Sequence, residues 1–278
     1  MGVSKNITIT NCVLTCCCNG LKFGTATAGG FENVTFSNSV IYNDDVPLNA
    51  RVISGIALEM VDGGWMDGVV ISNIRMQRVR TPIFVRLGAR HGSGRLRGVS
   101  IDNVRATGAI LTSSITGIPG HDVEDVTLSN IHIDTEEAGK AEWMTKPVPE
   151  QISSYPEARM FGRLPSYGFY CRHVAGLKLE NVAITAVQPD ERPALHFEDV
   201  KELHLDRVDV SAPITPQPLV RLIDVRDAAI TACTAPANTA VAVALEGEST
   251  KNVRLAGNDF TQAKTVFALH GGAAPPRL

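Results

Sequence analysis

A six-residue unit recurs along the chain and sets what it can fold into. Asn6-Ile-Thr-Ile-Thr-Asn11 returns as Asn33-Val-Thr-Phe-Ser-Asn38, Gly68-Val-Val-Ile-Ser-Asn73, Gly98-Val-Ser-Ile-Asp-Asn103 and Asp125-Val-Thr-Leu-Ser-Asn130. Later copies are Gly176-Leu-Lys-Leu-Glu-Asn181, Glu202-Leu-His-Leu-Asp-Arg207 and Asn252-Val-Arg-Leu-Ala-Gly257, with a weak copy around Ala229 and Ile230. The first apolar positions, 7, 34, 69, 99, 126, 177, 203 and 253, are spaced by 27, 35, 30, 27, 51, 26 and 50 residues, and the last gap is 2 × 25 when the weak copy is counted. A fixed period of this length marks stacked units, each too thin to bury its own apolar face. The 51-residue gap carries one large insertion, about 135–166, with Trp143, Pro147, Pro149, Pro156 and Pro165.

Each unit holds a second short strand downstream, as in Leu21-Lys-Phe23, Ile56-Ala-Leu58, Ile83-Phe-Val85, Leu195-His-Phe197, Val241-Ala-Val243 and Val266-Phe-Ala-Leu269. Period-two alternation turns Lys22, Ala57, Phe84 and His196 away from the apolar face. A leucine-rich repeat is the rival solenoid, but it places its asparagine one residue later and needs a helical stretch. Short Val, Ile and Thr strands, with asparagine at turns where positive φ is tolerated, fit an all-β parallel β-helix. About nine coils make a rod of roughly 40 Å, a single domain over 1–278 with a frayed tail at 271–278. Thin layers also account for an aromatic content of only 5% beside 44% hydrophobic residues. Residues 1–5 are too few for an N-terminal capping helix, so the chain reads as starting mid-solenoid, and its open strand ends offer a route to oligomers.

Composition excludes several functions. A net charge of 26 − 29 = −3 gives no polybasic signature for nucleic acid. No apolar run reaches the ~18–20 residues that span a bilayer, and no basic-then-apolar leader opens the chain, which implies a cytoplasmic protein if expressed as given. Six cysteines stand at 12, 16, 17, 18, 171 and 233. Without a second Cys-x-x-Cys they give no metal centre and no disulfide framework, and most read as small buried residues. No cofactor is implied.

Cys18-Asn-Gly-Leu-Lys-Phe-Gly-Thr25, Gly29-Gly-Phe-Glu-Asn-Val-Thr35, Gly55-Ile-Ala-Leu-Glu-Met-Val-Asp-Gly-Gly64, Pro82-Ile-Phe-Val-Arg-Leu-Gly88 and Ser114-Ile-Thr-Gly-Ile-Pro-Gly-His121 together resemble glycoside hydrolase family 28, the polygalacturonase-like pectin hydrolases. The likeness runs through residues 4–200 and matches the C-terminal half to two-thirds of such an enzyme. It implies a right-handed parallel β-helix, a secreted or periplasmic setting, and inverting hydrolysis of a pectic or related polysaccharide. An inverting mechanism pairs a proton donor with a base that activates water. The resemblance places the catalytic aspartates before residue 1, and Asp44-Asp45 falls in a loop. Cys18-Asn19-Gly20 stands where the family has Gly-His-Gly, and Ala57-x-Glu59 where it has Arg-x-Lys. The expectation is therefore a chain that holds one wall of a cleft and shows weak or no hydrolysis alone.

The outward side of the second-strand sheet is where the resemblance locates that cleft. Candidate catalytic residues are Glu59, Asp62 in its Gly-rich turn, and His121 in the turn Ile118-Pro-Gly-His-Asp122. Candidate substrate-binding residues are Asn19, Lys22, Arg86, Arg90 and Arg172. Each has a plainer alternative: Lys22 and Glu59 as a cross-coil ion pair, Arg86 and Arg90 as surface arginines on a loop, His121 as a structural cap. Trp143 and Tyr155 stack on a sugar ring or anchor the insertion, Tyr170 and His173 line a wall or pack, and the histidines at 132, 204 and 270 are surface or ladder positions. A non-catalytic carbohydrate-binding β-helix is the main rival function. A polysaccharide lyase is third, since the clustered carboxylates that hold Ca²⁺ are not evident.

Overall fold

The structure, a computed structural model, describes residues 2–278. The first coil runs through β1 (Val3–Thr10), β2 (Val13–Leu14) and β3 (Asn19–Phe23). The next coils add β4 (Gly30–Tyr42), β5 (Ser54–Met60), β6 (Trp65–Gln77), β7 (Thr81–Leu87), β8 (Arg95–Ala109), β9 (Ser113–Thr116) and β10 (Val123–Thr135). After the insertion come β11 (Phe169–Ala186) and β12 (Leu195–Val210), each long enough to serve two faces. The last coils use β13 (Pro218–Ile223), β14 (Arg226–Thr231), β15 (Val241–Glu246), β16 (Lys251–Ala256) and β17 (Thr265–His270). The pairings are parallel throughout, which makes the chain a parallel β-helix. One face stacks β1, β4, β6, β8, β10, β11, β12, β14 and β16; the other stacks β3, β5, β7, β9, β11, β12, β13, β15 and β17.

The register reproduces the repeat. Ile7, Val34, Val69, Val99, Val126, Leu177, Leu203, Ala228 and Val253 form one column through the rod. Two positions on, Ile9, Phe36, Ile71, Ile101, Leu128, Leu179, Leu205, Ile230 and Leu255 form a second. The weak copy is thus a full coil, β14. From Val34 and Phe36 onward these columns are buried, and each large aliphatic member contributes about 1.5–3 kcal/mol of transfer free energy.

Both ends of each hexapeptide are left-handed corners. Asn6, Asn33, Asp125, Glu202, Asp227 and Asn252 have positive φ at one end, with Gly68, Gly98 and Gly176 in the remaining layers. Asn11, Asn38, Asn73, Asn103, Asn130, Asn181, Arg207 and Ala232 do so at the other, ending at Gly257. Asparagine tolerates this conformation and its amide finds the next coil: Asn73 Nδ2 donates to Asn38 Oδ1 at 2.9 Å and Asn103 Nδ2 to Asn73 Oδ1 at 2.8 Å. Asn73→Ala should cost about 1–2 kcal/mol through the left-handed penalty of an ordinary side chain. Asn73→Gly should recover the backbone part but not the ladder bonds, a difference readable in urea midpoints.

Two expectations are corrected here. The C-terminal segment is not frayed: Arg277 N donates to Val253 O at 2.8 Å and Leu255 N to Arg277 O at 2.7 Å, which folds the tail over the last coil. The cysteines are not mostly buried. Cys16, Cys17 and Cys18 are exposed and Cys12 half-buried, so only Cys171 and Cys233 are core thiols; all six are free. No helix among the described residues is long and apolar enough to cross a membrane.

Candidate functional site

The insertion occupies residues 136–168 between β10 and β11 and lies across the outward side of the second face. Ala57, Phe84 and Tyr170 point outward from β5, β7 and β11, yet all are fully buried beneath Ala158, Phe161 and Leu164 of the insertion. A segment without regular strands brings backbone carbonyls that need donors where they are covered, and arginines supply them. Arg86 donates to the carbonyls of Glu150 and Gln151 at 2.7 and 3.0 Å, and to that of Gly117 at 2.8 Å. Arg172 donates to the carbonyls of Val148 and Pro149 at 2.9 and 3.0 Å. Arg86 is therefore neither a surface arginine nor a free cleft residue. Burial, reinforced by the charge of Arg172, brings its pKa down to about 10, so it stays charged near neutrality. The expectation of an open wall at Arg86 and Arg172 is corrected: the chain's own insertion occupies it.

Two carboxyl groups remain at the C-terminal end of β5. Glu59 is 0% exposed; its Oε2 accepts from Lys22 Nζ at 2.8 Å and Thr25 Oγ1 at 3.1 Å, while Oε1 is buried with no partner among the described residues. Burial lifts its carboxyl above the ordinary carboxylate range against the opposing pull of Lys22 and Thr25. For Lys22 burial works against the charge, but Glu59 outweighs it and the ammonium holds its proton more firmly. Three residues on, Asp62 takes a fork from Arg90, with Nε to Oδ1 at 2.8 Å and Nη2 to Oδ2 at 2.5 Å, and His91 Nδ1 lies 3.2 Å from Oδ1. The Arg90 hydrogen bonds hold this carboxyl below the usual range.

Tyr155 joins the two groups. Lys22 Nζ lies 3.3 Å from its hydroxyl and 5.2 Å from its ring centre, and the Arg90 guanidinium lies 5.5 Å from the same ring. Cations near an aromatic face are held by its quadrupole, yet the residue is still 59% exposed. The result is one covered acid with raised proton affinity, one carboxylate kept ionised, and an exposed aromatic rim. Environments that push two carboxyl groups apart in this way suit an acid and an anion to separate tasks.

The other candidates lie elsewhere. His121 is exposed in a tight turn closed by Ile118 N to His121 O at 3.0 Å and the reverse bond at 2.9 Å, so it sits in a structural turn outside the Glu59 group. Asn19 spends its side chain on the backbone N–H of Ser54 at 3.1 Å. Trp143 anchors the insertion, with the Arg163 and Arg192 guanidinium groups 4.9 and 5.0 Å from its ring centre. His132, His204 and His270 are exposed. His173 is held between Asp199, 2.7 Å from Nδ1, and Glu150, 3.2 Å from Nε2. Asp122, His173 and Asp199 come close enough to share an ion, but Lys201 Nζ already sits 2.6 Å from Asp122 Oδ2 and supplies positive charge there.

Comparison of the chain with protein-family models, curated proteins and solved structures gives no match. The site is read from its own chemistry. Sequence reasoning missed the Asp62–Arg90 pair, although their separation of 90 − 62 = 28 residues is close to one coil. It also missed Arg192, fully buried against Asp190 and Glu137. The cluster of opposite charges in Asp190-Glu191-Arg192, next to a strand, was its only sequence signal.

Proposed function

We propose that the chain acts on carbohydrate as a glycoside hydrolase of the polygalacturonase-like kind, with Glu59 as the proton donor, a reading that replaces the expectation of weak or no hydrolysis. The observation that carries this reading is the opposed proton affinity of Glu59 and Asp62 beside the exposed ring of Tyr155. In an inverting cleavage Glu59 gives its proton to the glycosidic oxygen as the C–O bond breaks. The ionised Asp62 takes a proton from the water that attacks the anomeric carbon from the opposite side. Tyr155 offers a face for a sugar ring, and Lys22 and Arg90 donate to its hydroxyl or carboxylate groups.

A second reading, carbohydrate binding without turnover, is favoured by the complete burial of the Glu59 carboxylate and by the commitment of Arg86 and Arg172 to the insertion. Reducing-end release from pectic oligosaccharides separates the two. The hydrolase reading expects turnover that falls about 10²- to 10⁴-fold in Glu59→Gln. It also expects an alkaline limb in the wild-type pH profile, since the acid works only while protonated, and loss of that limb in the variant. Saturable binding with no product, unchanged by Glu59→Gln, replaces the hydrolase reading with the second.

A further inference from the structure

A separate cleft of about 690 Å³ opens at the other ends of the same strands, about 20 Å from Glu59 along the strand direction. Leu48 and Asn49 before β5, Arg80 before β7, and Ile110 and Leu111 before β9 form one side. Glu137, Arg159 and Arg163 of the insertion face them. The volume suits a small molecule.

Its charge is unbalanced. Arg159 pairs with Glu157 and Arg163 with Glu137, while the second oxygen of Glu137 is taken by Arg192. Arg80 is only 5% exposed, and among the described residues its buried Nε has no hydrogen-bond partner and no carboxylate lies within ion-pair distance of it. Arg51 close by also has a buried, unpartnered Nε. Counting the charged residues that line the cleft, Arg80, Arg159 and Arg163 against Glu137, leaves 3 − 1 = +2. Burial and the nearby Arg159 both work against the charge on Arg80. A covered guanidinium with unused donors is costly unless something pairs with it. The remaining surface, Leu48, Ile110 and Leu111, is apolar and matches the C–H face of a ring rather than a bare ion.

We propose that this cleft binds a small organic oxyanion, a carboxylate or phosphate carried on a ring-sized body, through the fork of Arg80. A sugar acid and a sugar phosphate share that chemistry. The site uses neither Glu59 nor Asp62, so it stands whether or not the hydrolase reading does.

Calorimetric titration of the full chain with glucuronate, glucose 6-phosphate and glucose tests it. Binding of either anion, with no binding of glucose, is the expected result; the anion that binds names the class, and binding of both assigns the site to oxyanions generally. Arg80→Gln should weaken that binding about 10- to 100-fold, the worth of charge-assisted hydrogen bonds. The unliganded variant should melt at or above the wild-type temperature, because an unpaired buried charge has been removed. Failure of both anions to bind, equal binding of glucose, or undiminished binding by Arg80→Gln would overturn the proposal.

Discussion

Replacing Arg192 with methionine should lower the unfolding free energy by about 3–5 kcal/mol, the cost of leaving buried carboxylates without their cation. The guanidinium is fully buried and donates to Asp190 Oδ1 and Oδ2 at 3.0 and 2.8 Å, to Glu137 Oε2 at 2.9 Å and to the carbonyl of Leu164 at 3.0 Å. Gly139 lets the chain pass against it, since a Cβ there would meet Arg192 Nε at 2.0 Å. Burial opposes the charge, but Asp190 and Glu137 together raise the Arg192 pKa further. The same burial lifts the carboxyl of Glu137, so both members of the cluster depend on their pairing. Urea unfolding reads the loss directly. Adding Asp190→Asn and Glu137→Gln to Arg192→Met should return part of it by removing the stranded charges. A single variant within about 0.5 kcal/mol of wild type would mean that the cluster does not hold the insertion.

Acid should destabilise the protein through His196. The side chain is buried, neither ring nitrogen has a hydrogen-bond partner among the described residues, and Tyr170 packs with its ring centre 5.2 Å away. Burial, then the charges of Arg221 and Arg172, brings its pKa from 6.5 to about 3. Below pH 6.5 the unfolded chain binds a proton at this residue that the folded chain refuses, so stability falls as pH falls. The slope is about 1.4 kcal/mol per pH unit. It ends near pH 3, where the folded state also protonates, after a total of about 4–5 kcal/mol. His196→Leu should match or exceed wild-type stability at pH 7, since it removes two unsatisfied nitrogens. Its advantage should widen steadily towards pH 4. Parallel urea midpoints for the two proteins over that range would refute the assignment.

The coils were legible in the sequence because each is written twice, once in period-two apolar residues and once in the asparagines or glycines at its corners. Even the weakest copy, at Ala228 and Ile230, falls in register with its neighbours. The cross-coil pair of Lys22 and Glu59 was equally readable from strand parity. Period-two reasoning also turned Phe84 outward correctly, but parity cannot say what covers an outward face. What covers it is a segment with no period, whose contacts are carbonyl groups shared by every residue type. Nothing in Val148-Pro149-Glu150-Gln151 announces that two arginines from different coils converge on its backbone. Arg80 is the converse case, a residue with no sequence motif whose meaning lies in the partner it lacks.

A column of coils that touch only their neighbours unfolds like a zipper, losing layers one at a time from whichever end frays. The insertion alters that behaviour from the first coil to β12. Tyr155 is bonded to Lys22 on β3, the carbonyls at 148–151 to Arg86 on β7 and Arg172 on β11, and Leu164 and Glu137 to Arg192 ahead of β12. Layers far apart in the stack thus share one strap, and none of them can leave without releasing it. The coils from β3 to β12 are bound into a single cooperative unit, while the layers from β13 onward, outside the strap, remain free to open on their own.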